Sequence, residues 1–65
     1  MTWEELCEKA KEMGYEDYFD FRGVKAIRNG KGLSFHSNGK ICYDTRIFAD
    51  HRTPEQMYQI MEALK

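Results

Sequence analysis

Four side chains have the chemistry of metal ligands: Cys7, His36, Cys42 and His51. A structural zinc site brings such residues together at short spacings such as C-x-x-C or H-x-x-x-H. None of these pairs has one, so no metal is expected. Ser34, His36 and Cys42 form a second grouping. If the segments around them are paired strands, Ser34 lies across from Cys42, and His36 stands two residues along on the same face. A hydroxyl, an imidazole and a thiol are the parts of nucleophilic catalysis. A flat, wet strand face nevertheless gives no pocket, no oxyanion hole and nothing to lower a thiol pKa. All three therefore read as exposed strand positions, and no catalytic residue is assigned. The acid pairs Glu4/Glu5 and Asp17/Asp20 suit a helix start and a solvated loop better than acid–base work. Gly30-Lys31-Gly32 lacks the G-x-x-x-x-G-K-[ST] frame and precedes a strand, so it is no phosphate loop. No cofactor is expected.

Charge is the remaining chemical signal. The formal net charge is only −1, but it is segregated. Residues 1–21 sum to −5, residues 22–46 to +5 and residues 47–65 to −1. Such asymmetry can mark an anion-binding surface. The candidates are Lys25, Arg28, Lys31, His36 and Lys40. The plainer reading is that solvated strand positions happen to be basic.

The elements that would place these residues are legible in part. Thr2-Trp3-Glu4-Glu5 is a capping box, in which threonine and glutamate each accept from the other's backbone N–H. The helix behind it carries Trp3, Leu6, Cys7, Ala10 and Met13 on one stripe. It should end near Met13, with Gly14 in the left-handed region. Thr53-Pro54-Glu55-Gln56 is a second capping box, with proline at the first helical position. Its helix should run to about Leu64, with Met57, Ile60, Met61 and Leu64 inward.

Between the helices, Asn29-Gly30 and Asn38-Gly39 are hairpin signals, because both residue types tolerate positive φ. They predict three strands. The first starts near Asp20 and absorbs Gly23 as a bulge; residues 15–21 as an aromatic-packed loop is the alternative. A two-residue turn at Asn29-Gly30 would pair Ala26 with Leu33 and Val24 with Phe35. A three-residue loop at Ser37-Asn38-Gly39 would pair Phe35 with Ile41 and Leu33 with Tyr43. The apolar face is then Val24, Ala26, Leu33, Phe35, Ile41 and Tyr43. Lys25, Ile27, Ser34, His36, Lys40, Cys42 and Asp44 face water. Ile47 and Phe48 would leave the sheet and plug the core.

The expected fold is a single α+β domain over residues 1–65, α-β-β-β-α. Its three-stranded antiparallel meander would have both helices packed on one face. Two cysteines are too few for a disulfide framework. No apolar run approaches a membrane span. Glu4 and Glu5 lie where a signal peptide needs positive charge, so a cytoplasmic protein is expected.

The α-β-β-β-α order is similar to that of double-stranded-RNA-binding domains and of HicA-type ribonuclease toxins. The resemblance is in topology and length. Arg52-Thr53-Pro54-Glu55-Gln56 lacks the first family's lysine cluster at the last helix. In Gly32-Leu33-Ser34-Phe35-His36 the histidine is displaced from its place directly after Gly-Ser in the toxins. No functional residue carries over. The expected function is a small protein-interaction or regulatory module without catalysis, with an unidentified protein partner or a second copy. The alternatives are RNA binding through residues 22–46 and a toxin-type ribonuclease.

Overall fold

The computed structural model describes residues 1–65. Both capping boxes form. In α1 (Trp3–Glu12), the Glu5 N–H donates to Thr2 Oγ1 at 3.2 Å and the Thr2 N–H to Glu5 Oε1 at 3.0 Å. In α2 (Pro54–Ala63), Thr53 and Gln56 exchange the same pair of bonds at 3.1 and 2.9 Å.

The sheet has five antiparallel strands, not three. In spatial order they are β1 (Glu16–Phe19), β2 (Lys25–Arg28), β3 (Leu33–His36), β4 (Ile41–Tyr43) and β5 (Arg46–Ala49). The segment expected to be one bulged strand is the hairpin β1–β2. Asp20 closes its turn by accepting from the N–H groups of Arg22 and Val24, both at 2.9 Å. The extra strand at the far edge arises because Asp44 and Thr45 turn the chain back, with φ of 51° and 69°. This is the positive-φ geometry of a two-residue hairpin, reached without glycine. Ile47 and Phe48 therefore stay in the sheet and remain 58% and 54% exposed instead of plugging the core.

The β3–β4 register is the expected one: Leu33 opposite Tyr43, Ser34 opposite Cys42, Phe35 opposite Ile41. The β2–β3 register is not. Ile27 lies opposite Phe35, and Ala26 opposite His36. The reason is the Asn29 side chain, whose Oδ1 accepts from the N–H groups of Lys31 (2.9 Å) and Leu33 (3.1 Å). The turn is thus the three residues Gly30-Lys31-Gly32, with positive φ at Gly32. Relative to a two-residue turn this shifts β2 by an odd number of residues, which inverts its faces. Ile27 enters the core, and Ala26 moves to the opposite face.

Both helices cover one face. The core is Leu6, Ala10, Tyr15, Ile27, Leu33, Phe35, Ile41, Met57 and Met61, flanked by Trp3, Cys7, Met13, Ala49, Tyr58 and Ile60. Tyr15 and Phe35 rings meet at 5.8 Å, tilted by 58°, the kind of geometry aromatic pairs prefer. At the end of the sheet where α2 begins, Gly39 (φ +99°) accepts from the Arg52 N–H at 2.9 Å. A Cβ there would meet His51 Cα at 3.2 Å, so glycine is required both by φ and by space. No helix is long and apolar enough to cross a membrane.

Candidate functional site

The open sheet face holds the Ser34, His36 and Cys42 grouping, but not as exposed residues. His36 and Ser34 are each only 7% exposed. His36 Nδ1 sits 3.0 Å from Asp20 Oδ2, and His36 Nε2 sits 3.1 Å from Ser34 Oγ. The expectation that His36 faces solvent is corrected here. Tyr18 stands edge-on to its ring at 6.2 Å, and the Asp20 turn closes over it. Asp20 was the unforeseen member. Its signal was the Asp20-x-x-Gly23 turn pattern, which makes the carboxylate a local acceptor. The carboxyl is held below the usual aspartate range, first by the Val24 N–H, then by the Arg22 N–H and His36, against an upward pull from burial.

Asp, His and Ser in line have the order of a catalytic relay, but the surroundings do not serve one. Ser34 lies mid-strand, its neighbours tied into the ladder with β2 and β4. Neither sizeable cavity of the molecule includes Ser34, His36 or Asp20. What the chain of bonds does is fasten the β1–β2 turn to the centre of the sheet. Cys42, opposite Ser34, is half-buried; Cys7 packs against the core on the other face, and burial raises its thiol pKa.

The five basic-segment candidates do not converge. Arg28 lies on the open face with its guanidinium 4.5 Å from the centre of the Tyr18 ring. That face thus carries an aromatic that the sequence did not place there. Lys40 stands opposite His36 at the start of β4. Lys25 pairs with Phe19 on the helix side, because the inverted β2 face carries it there. Lys31 lies in the β2–β3 turn, at the other end of the sheet.

That other end holds the largest concavity. The C-terminal ends of both helices run toward the turns at residues 30–32 and 44–45 and leave a groove of about 1400 Å³. Met13, Tyr15, Leu33 and Met61 form its floor, Tyr43 and Phe48 its sheet wall, and Tyr58, Ile60 and Leu64 its helix wall. Tyr43, Phe48 and Leu64 are each more than half exposed. Phe48 reaches the groove by alternation, two residues on from Arg46 on the same face; the bulge that follows, with Ile47 opposite Cys42 and Ala49 opposite Ile41, brings Ala49 to the core side as well. The bulge also blunts the free edge of β5 against strand pairing. Glu16 and Asp17 do the same for the free edge of β1.

The rim is charged. Lys9 lies 5.4 Å over the Tyr58 ring, and Lys65 pairs with Glu62 at 4.0 Å. The Tyr58 hydroxyl pKa is raised, first by its hydrogen bond to Glu62. On the sheet side Lys31 and Arg46 make no ion pair. Lys9 and Lys65 are balanced by Glu12 and Glu62, and the two helix C-termini add roughly half a negative charge each, so the helix wall is net negative and the sheet wall cationic. The sequence assigned Tyr43, Phe48 and Leu64 to the core. So small a chain cannot enclose nine aromatics, and that surplus was the available signal. No family model, curated protein or solved structure matches the chain.

Proposed function

We propose that this chain is a non-catalytic protein-interaction module, and that the groove receives an apolar segment of a partner protein bearing carboxylates on the side that meets Lys31 and Arg46. The groove itself carries this reading. Three of the molecule's exposed large apolar side chains, Tyr43, Phe48 and Leu64, line this one concavity. Exposed apolar groups gathered in one place mark contact surfaces, whereas scattered ones do not. Its volume exceeds the roughly 300–1000 Å³ of small-molecule pockets, which favours a peptide over a metabolite. The guarded strand edges favour docking in the groove over addition of a strand. The unpaired Lys31 and Arg46 favour acidic residues in the segment and set its direction.

Selection of short peptides from a random displayed library tests this. The selected sequences should combine apolar anchors with Asp or Glu. Their affinity should fall at least tenfold in a Tyr43→Ser, Phe48→Ser double variant, because each anchor pocket is worth at least about 1.4 kcal/mol when lost. Selection of no ligand, or of ligands indifferent to that variant, contradicts the reading. Sedimentation of the chain alone shows whether a second copy is the occupant instead.

A further inference from the structure

The β1–β2 connection has a feature that the groove leaves unused. Phe21 is 92% exposed and Phe19 67%, the highest values of any large apolar side chains in the molecule. Rings on a loose turn fold back onto apolar surface. Here the turn is fixed: Asp20 binds the Arg22 and Val24 N–H groups, and its other oxygen is tied to the buried His36. The chain holds two aromatic rings outward on a rigid tip.

One cation accompanies each ring. The Arg22 guanidinium lies 5.3 Å from the Phe21 ring centre, and Lys25 is the register partner of Phe19. The Lys25 carbonyl accepts from the Ser37 N–H at 2.8 Å, which seats the β3–β4 turn beside the tip. Lys40 closes that turn, and the Gly39 carbonyl brings Arg52 against it. Two acids share these connections and keep their charge: Asp20 is turned inward to the Val24 and Arg22 N–H groups and His36, and Asp50 accepts from the His51 N–H at 2.7 Å. Phe19 and Lys25 border a shallow cleft with Glu4, Glu8 and Asp17 on the helix side, so a polyanion's path leads away from that pair, from Phe21 over the β3–β4 turn to Arg52.

We infer that this end of the sheet binds single-stranded nucleic acid, with a base stacked on Phe21 and phosphates held by Arg22, Lys40 and Arg52. Aromatic faces flanked by cations are the elements of strand binding without sequence preference. A duplex keeps its bases stacked on each other and offers these rings nothing. A membrane is the less favoured partner. Even one myristoyl chain binds a bilayer only with K of about 10⁴ M⁻¹, and two phenylalanines bury less. The site lies at the opposite end of the sheet from the groove and does not depend on it.

Fluorescence anisotropy of the full chain with labelled oligothymidylate, oligouridylate and a duplex of equal length tests the site. Single strands should bind in the micromolar range at about 50 mM salt, and the duplex at least tenfold more weakly. With about three phosphates neutralised, the log–log salt slope should be roughly −2, a loss of roughly 20-fold by 200 mM. Phe21→Ser should weaken binding at least about fivefold without changing that slope, and Arg22→Ser should reduce the slope by about 0.7. Both residues are exposed, and circular dichroism checks that the variants fold. The Tyr43→Ser, Phe48→Ser variant should bind strands as wild type does. No single-strand binding at low salt overturns the inference, as does equal affinity of Phe21→Ser. Co-sedimentation with phosphatidylcholine–phosphatidylserine vesicles in place of oligonucleotide binding overturns it in favour of a membrane.

Discussion

A single carboxylate, that of Asp20, closes the β1–β2 turn and reaches the middle of the sheet through His36. Its pKa is lowered in the fold, chiefly by the Val24 N–H. A carboxyl with a lower pKa folded than unfolded stabilises the fold above its ordinary value. That contribution declines as pH falls below about 3.9 and is gone once pH has passed below the lowered value. The urea midpoint should therefore fall on acidification below about pH 4. In Asp20→Asn the acid limb should be shallower, with the midpoint at neutral pH already reduced. An identical acid limb in the variant would mean that the carboxylate's bonds are not made in solution. The same residue shows what the sequence hid. Ser34, His36 and Cys42 were placed near one another correctly, but burial of His36 depended on a partner sixteen positions away, and no periodicity links the two.

Elements were legible where a side chain and its own backbone decide the structure. Thr2 and Thr53 announce their helices because the capping partner lies three residues on. Replacing Thr53 by alanine should cost about 0.5–2 kcal/mol, read from the denaturation midpoint; an unmoved midpoint would discount that cap. The Ser37-Asn38-Gly39 loop was legible because positive φ fell on its glycine. The first hairpin misled because Asn29 spent its side chain on the turn and moved the positive φ from Gly30 to Gly32. Strand β5 left no mark, since Asp44-Thr45 adopts a turn conformation that a β-branched residue rarely takes. Each of these turn choices is small in energy, yet the first one inverts every side chain of β2.

At the scale of the whole molecule, the core is thin and shared. Nine buried residues hold seven elements together, and Phe35 is the largest of the fully buried side chains. A domain of this length has about 3–10 kcal/mol of net stability at the usual value per residue. Phe35→Ala should remove about 3–5 kcal/mol and leave the chain largely unfolded by circular dichroism; a variant with native ellipticity and a midpoint little changed would contradict the packing. So thin a core cannot cover all the apolar residues of the chain, and most of the surplus lies at two opposite ends, with Ile47 on the open face between them. The groove gathers Tyr43, Phe48 and Leu64, while the β1–β2 tip carries Phe19 and Phe21. The central claim is that the groove is a docking surface for a partner's acidic, apolar segment. Amide chemical-shift mapping tests it most directly, by titrating the isotope-labelled chain with a library-selected peptide. Shifts should concentrate at Gly14, Tyr15, Lys31, Leu33, Tyr43, Phe48, Met61 and Leu64. Shifts centred on Tyr18, Arg28 and Cys42 of the open sheet face, with the groove silent, would contradict it.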